Sequence, residues 1–417
     1  MSGLWLQTRS FPPPVRLLMA NQFAINLAFY MLMPYLAAHL AGGLGLAAWA
    51  VGLVLGVRNF TQQGMFLIGG TIADRFGYKS PIMAGCLLRT VGFCLLGWVD
   101  SLPALIAASA ATGFAGALFN PAVRAYLAAE AGGRRVDAFA TFNVYYQAGM
   151  LLGPLVGLAL LAADFRLVCT VAAAIFAVLT VMQWRALPAR RGDSGPSAPD
   201  GVLAQWRTVV ANRPFLLFAL AMIGSYVLTF QVYLAFPLAA TNAFGARGTW
   251  ATSGLFVLSA AVAVAGQIRL TGWAKRRWTP AQALVRGLAA MGLAFLPLAL
   301  IPSGTTGAVL VALVLAVTLL AVGSAVVYPF EMDTVVSLSG DRLVATHYGL
   351  YNTVSGLGIT LGNLATGALW DFAVRHGALW LTWWALAATG LVCSAAVAAL
   401  ARTGRLTPHT PAHLVPA

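Results

Sequence analysis

The chain has 417 residues, 60% hydrophobic and 9% charged, with a mean hydropathy of +0.82. Soluble domains are about 45–50% apolar even when Gly is counted, so a soluble globular fold is excluded and a polytopic membrane protein is indicated. The net charge of +14 would suit a nucleic-acid binder only if the bases clustered on a soluble face. They occur in short groups between apolar runs, so no nucleic-acid partner is expected.

A membrane span takes roughly 20 mainly apolar residues. Twelve such runs predict an all-α bundle, near 16–40, 48–73, 80–99, 103–128, 136–161, 166–185, 214–240, 249–271, 280–301, 307–332, 343–370 and 378–400. An even number puts both termini on one side. With that side cytoplasmic, 19 of the 25 Lys and Arg fall in cytoplasmic segments or the helix ends beside them. Only Arg166, Arg247 and Arg375 fall outside, and Arg58, Arg89 and Arg286 lie within spans. That asymmetry fixes the orientation by the positive-inside rule. The division expected is a tail at 1–15, a six-span bundle at 16–185, a linker at 186–213, a second bundle at 214–400 and a tail at 401–417.

Span one carries Asn21, Gln22 and Asn26, and no acid occurs before Asp74. Asn21 can bind a solute but cannot titrate. In span two Arg58 lies about ten residues in, roughly 15 Å along the helix and so near the bilayer centre. Gln62 stands at i+4 on the same face. A charge at that depth points to function by default; the alternative is a structural Arg bonded to carbonyls and amides. Arg89 is similarly deep in span three, where a packing role is expected, and Arg286 lies near enough to an end to snorkel.

Between spans two and three runs Gly69-Gly70-Thr71-Ile72-Ala73-Asp74-Arg75-Phe76-Gly77-Tyr78-Lys79. It packs an acid, two bases and three glycines into a tight reversal. Glycine permits close helix approach and a sharp turn. Asp74 can accept from backbone N–H groups at a neighbouring helix start, or pair with an Arg. The run resembles the loop 2–3 signature of the major facilitator superfamily, G-x-x-x-D-R-x-G-[RK]-[RK]. Gly70, Asp74, Arg75, Gly77 and Lys79 fall on its positions, while Tyr78 replaces a base. The resemblance implies a twelve-helix fold of two six-helix bundles. It also implies a conformational latch in which Asp74 and Arg75 work with Arg124 of span four.

Span five holds Gly149-Met150-Leu151-Leu152-Gly153-Pro154-Leu155-Val156-Gly157. Glycines four apart line one face and admit a close neighbour, and Pro154 removes a backbone bond. The run matches in full the superfamily's antiporter signature, G-x-x-x-G-P-x-x-G, which implies export. Drug:proton antiporters of this superfamily often carry an acid early in the first half, and Asn21 stands where the drug exporter that the chain resembles has Asp, so the usual coupling acid is missing.

The linker holds Arg190-Arg191-Gly192-Asp193-Ser194-Gly195-Pro196 and reads as mobile, with a mildly amphipathic stretch at Val202 to Val210 expected on the membrane surface. The halves echo each other. Phe142-Asn143 followed by Gly153 matches Tyr351-Asn352 followed by Gly362, and Asn120-Pro121 of span four matches Tyr328-Pro329 of span ten. Two parallel repeats around a midplane site are a known transporter plan. Gln147, Tyr226, Gln231 and Asn352 are candidate polar handles in a greasy cavity. Glu331 and Asp333, just after Pro329, are candidate proton sites; the alternative is a bridge to Arg342 or Arg124.

Five scattered His and four Cys inside apolar runs form no metal or disulfide pattern. No G-x-x-x-x-G-K-[ST] run is present, so no ATP use and no cofactor is expected. An enzyme would need a nucleophile–base pair or metal cluster within the spans, and none is seen. The resemblance implies a monomeric secondary transporter of the bacterial inner membrane. It would exchange protons for drugs or other small amphipathic solutes; the alternative is a facilitator or importer of a small metabolite.

Overall fold

The computed structural model describes residues 2–190, 201–301 and 306–406. Among them every regular element is helical. The first half holds α1 (Ser2–Arg9), α2 (Pro13–Ala38), α3 (Ala48–Gly64), α4 (Phe66–Phe76), α5 (Lys79–Trp98), α6 (Leu102–Ala131), α7 (Arg135–Leu161) and α8 (Phe165–Ala186). Then come α9 (Val202–Ala211), α10 (Arg213–Ala221), α11 (Ile223–Phe230), α12 (Ala235–Phe244), α13 (Gly248–Arg277), α14 (Pro280–Leu293), α15 (Leu296–Leu300), α16 (Thr306–Ser339), α17 (Val344–Arg375) and α18 (Trp380–Arg402).

Ten continuous described segments are long and apolar enough to cross a membrane. One of them, Leu102–Leu161, is 60 residues long and holds two spans, α6 and α7, joined by a short turn. A further span, α3 with α4, breaks at Met65 into pieces of 17 and 11 residues, each too short to count alone. Twelve spans result. Proline explains two other breaks. Pro297 has no N–H for the carbonyl of Leu293, where α14 stops. Pro237 likewise frees the carbonyl of Tyr233, and a 3-10 turn at Gln231–Tyr233 separates α11 from α12.

The helix ends follow local chemistry. Thr279 and Gln282 form a reciprocal capping box at the start of α14. Asn212 Oδ1 accepts from Phe215 N at 3.2 Å and caps α10. Gly77 ends α4 at φ 83°, ψ 158°, a region open essentially to glycine alone. Gly77→Ala is therefore expected to cost about 1–3 kcal/mol, read as a lower Tm of the purified protein.

Two compact units form. The first comprises Met1–Ala211 with Asp341–Thr353, and the second Asn212–Gly340 with Val354–Ala417. Helix α17 thus begins in the first unit and continues in the second, a finer partition than a cut in the 186–213 linker. The expected N-terminal tail at 1–15 carries a short helix. Residues 2–9 are helical, and Thr8 Oγ1 lies 3.2 Å from Tyr145 Oη on α7. Arg134 anchors the same segment by donating to Ser10 O and Oγ. Linker residue 190 and α9 also join the first unit. Tyr78 N donates to Arg190 O at 3.0 Å, and Trp206 Nε1 to Thr71 Oγ1 at 2.8 Å. Residues 191–200, expected to be mobile, lie outside the described residues, as do 407–417 of the C-terminal tail.

The units repeat one packing scheme. In the first, α3 packs on α6, α5 on α6 and α5 on α8; in the second, α13 packs on α16, α14 on α16 and α14 on α18. Gly153 seats α7 against α2, and Gly362 seats α17 against Val227 of α11. The sequence echo between Gly153 and Gly362 is therefore an echo of packing.

Candidate functional site

The Asp74 run builds a socket for one helix start. Asp74 is 5% exposed. Its Oδ1 accepts from Ala345 N at 3.1 Å, and its Oδ2 from Thr346 N and Thr346 Oγ1, both at 2.7 Å. Ala345 and Thr346 are the second and third residues of α17, whose N–H groups have no partner within the helix. A carboxylate there satisfies two donors and meets the positive end of the helix dipole. Of the two sequence readings of Asp74, capping a helix start is the one observed.

Glycine makes the approach close enough. A Cβ on Gly70 would run into the carbonyl of Ala345, and one on Gly349 into the carbonyl of Phe66. Lys79 Nζ donates to Trp184 O at 2.8 Å near the last turn of α8, a favourable place for a cation. Arg75 is exposed. Arg124 is half-buried and donates from Nη1 to Asn352 Oδ1 at 2.7 Å. The structure thus joins Asn352, expected among the cavity groups, to Arg124 of the expected latch. At the rim Arg135 pairs with Asp341 at 2.8 Å, but Asp341 is largely exposed and the pair contributes little.

The glycines of α7 form a second close contact. A Cβ on Gly149 would stand 2.5 Å from Phe23 O, and one on Gly153 2.7 Å from Tyr30 Cβ; one on Gly157 would run into Met31 O. Tyr35 Oη donates to Pro154 O at 2.7 Å. The three glycines and Pro154 all meet α2.

Polar groups of the first unit lie along that helix pair. Asn21, Gln22 and Asn26 are buried; Asn26 Nδ2 donates to Gln22 O at 2.7 Å. Both polar atoms of the Asn21 side chain lack a partner among the described residues, as does Gln147 Oε1 on α7. Tyr30 Oη and Tyr146 Oη are 3.4 Å apart.

Arg58 and Arg89 sit deeper. Arg58 is half-buried, donates to the adjacent Asn59 and lies over the Phe29 ring, its Cζ 5.1 Å from the centroid. Arg89 is only 6% exposed. Its Cζ stands 4.9 Å from the same Phe29 ring and 5.4 Å from Phe176. A Cβ on Gly116 would come within 3.0 Å of Gln62 Cδ and 3.1 Å of Arg89 Nη2. Gln62 and Arg89 therefore meet beside Gly116 of α6, and Arg58 shares the Phe29 ring with Arg89. Arg89, for which a packing role is expected, extends from α5 to Phe29 of α2 and Phe176 of α8. The sequence signal for it was its depth in an apolar span. Cost decides how to read it. A cation at mid-span costs about 2.5–3.5 kcal/mol or more, and the occluded, unpartnered Nε adds about 1–3 kcal/mol. Two contacts with ring faces offset roughly 0.5–2 kcal/mol each, which leaves the group undercompensated.

In the second unit Glu331 is 3% exposed, and Ser225 Oγ donates to its Oε1 at 3.4 Å. Asp333 is half-buried two residues further along α16, a spacing that puts the two acids on different faces of the helix. Gln231 is buried and donates to Val227 O and Asn363 Oδ1 at 2.8 and 3.3 Å, while Tyr226 is half-buried on α11. Among the described residues no group of three or more His, Cys, Asp or Glu is placed to hold a metal.

Twelve membrane spans in repeated packing, a capped helix start and buried polar groups within the spans define a membrane transporter. Residues 18–363 match the family model of the Major Facilitator Superfamily, and the chain belongs to that family. It is 56% identical over 402 residues to an MFS-type transporter of Mycobacterium tuberculosis, covering 96% of this chain and 95% of that one. It is 30% identical over 381 residues to the multidrug resistance protein MdtH of Aeromonas hydrophila, covering 89% and 91%. The fold is similar to that of the E. coli fucose:proton symporter, at a TM-score of 0.74 and 13% identity, covering 92% and 98%.

Proposed function

We propose that this transporter exports drugs or other small amphipathic compounds across the bacterial inner membrane, driven by inward proton flow. It works as a monomer by alternating access, with both termini cytoplasmic. The observation that carries the export reading is the complete glycine–proline face of α7 seated on α2. The MdtH relatives support drugs as the solute class. The 19 bases assigned to one side support the orientation. The Asp74 cap on α17 is the latch that biases one state. Since Asn21 cannot titrate, the buried Glu331 carries the coupling proton, with Asp333, two residues on in α16, the second candidate.

Everted membrane vesicles loaded with a pH probe test this. Adding members of a panel of cationic, neutral and anionic drugs is expected to dequench the probe for at least one class. Glu331→Gln is expected to abolish that signal without loss of the folded protein. No response across the panel, with the protein present and folded, would favour a facilitator or importer of a small metabolite.

A further inference from the structure

We propose that Arg58 and Arg89, beside the ring of Phe29, form the site for an anionic group on the transported solute, which is an amphipathic organic anion such as an aryl sulfonate or aryl carboxylate. This rests on the transporter reading above and names its substrate class.

Both guanidiniums approach one aromatic ring, at 5.1 and 4.9 Å. Their Cζ atoms therefore lie within about 10 Å of each other, a span one small anionic solute covers. Like charges this close in an apolar bundle repel, because the surrounding medium screens them weakly. A counter-charge is the usual remedy. Neither arginine has an acidic partner among the described residues, and Arg89 makes no hydrogen bond there. No acid precedes Asp74 in the chain, so spans one and two have none to offer above their inner end. The missing charge is then supplied by what binds.

The surroundings suit an amphipathic solute. Arginine donors form a planar fork that matches sulfonate and carboxylate oxygens. Gln62 adds an amide beside Arg89, across from Gly116. Phe29, which is only half-buried, offers an aromatic ring to the solute's apolar body. Depth argues against a lipid headgroup. Arg58 is ten residues beyond the start of α3, and Arg89 ten beyond the start of α5. Each is roughly 15 Å from its helix end, whereas headgroups sit at the interface.

Isothermal titration of the purified full-length protein in detergent tests the proposal, with naphthalene-1-sulfonate, neutral naphthalene-1-sulfonamide and cationic 1-naphthylmethylammonium as probes. The sulfonate is expected to bind at least about tenfold tighter than either analogue, as a charge-assisted pair implies. Arg58→Gln and Arg89→Gln are each expected to weaken the sulfonate about tenfold and leave the sulfonamide unchanged. Arg89→Lys keeps the charge in case Arg89→Gln does not fold, and should retain part of the preference. Equal binding of sulfonate and ammonium, or wild-type sulfonate affinity in the folded Gln variants, would overturn the proposal. So would full displacement of the sulfonate by phosphatidylglycerol, which would make this a lipid site. Binding is measured without a gradient, so its failure is distinct from a failure of proton exchange in vesicles.

Discussion

Asp74→Asn is expected to raise the hydrogen-exchange rates of the Ala345 and Thr346 amides about 100-fold and to abolish most transport. The native carboxylate takes three hydrogen bonds from two residues at the start of α17. An Asn side chain has one oxygen. If it keeps the Ala345 bond, its NH2 faces the Thr346 N–H and sets donor against donor. Removing the charge also removes the interaction with the helix dipole, about 0.3–1 kcal/mol and up to ~2 where partly buried. A buried hydrogen bond to a charged group is worth about 1.5–3 kcal/mol. A total near 3 kcal/mol corresponds to roughly 100-fold in an equilibrium. Thr346→Val removes the hydroxyl and leaves both amide bonds, so it should cost about 1.5 kcal/mol, the low end of that range, and speed exchange about tenfold. Mass-spectrometric exchange on both variants reads the graded effect. Native protection in Asp74→Asn would mean that the cap does not hold the helix start. Loss of protection with full transport would mean that the cap is structural and not a latch.

That the Asp74 run mattered was legible from its composition, since few other stretches of so apolar a chain hold an acid followed by two bases and flanked by glycines. Gly77 declared its turn and Gly70 its close approach. What the run binds was not legible, because Ala345 and Thr346 lie 271 and 272 residues away. Nothing in an isolated helix start says which carboxylate will meet it. The same distance hid the pairing of Arg124 with Asn352, 228 residues apart. Arg89 was visible as a deep charge, but its facing was not. Periodicity fails in a span that is apolar all round, where hydrophobic residues face lipid and neighbour alike. The linker shows the opposite case. The amphipathic stretch at Val202 to Val210 did become α9. It packs against the first unit by burying Gln205 and Val209 and through the Trp206 indole, which reaches the hydroxyl of Thr71, three residues before Asp74.

Gly157→Ala is expected to lower the Tm of the purified protein by several degrees, and Gly153→Leu to leave little folded protein. In a bilayer the hydrophobic effect adds little between spans, so helix association depends on close backbone packing. The α2–α7 contact is set by Gly149, Gly153 and Gly157, each already against backbone or Cβ atoms of α2. A methyl at Gly157 meets the Met31 carbonyl, which cannot rotate away as a side-chain end would. Overpacking of this kind costs about 1–3 kcal/mol, and a leucine at Gly153 must separate the helices or unseat them. Gly56→Ala is the control. Gly56 lies in α3 with nothing within 4 Å of a built Cβ. There the same substitution should be neutral or stabilising by up to about 1 kcal/mol through helix propensity. Thermal melts of the two alanine variants side by side separate packing from propensity. An equal fall in both would mean that loss of glycine itself is harmful. A fall at Gly157 alone, with stability at Gly56, ties the signature in α7 to the helix it touches. In that case Gly157→Ala should also slow exchange in vesicles, because a displaced α2 carries Phe29 away from Arg58 and Arg89.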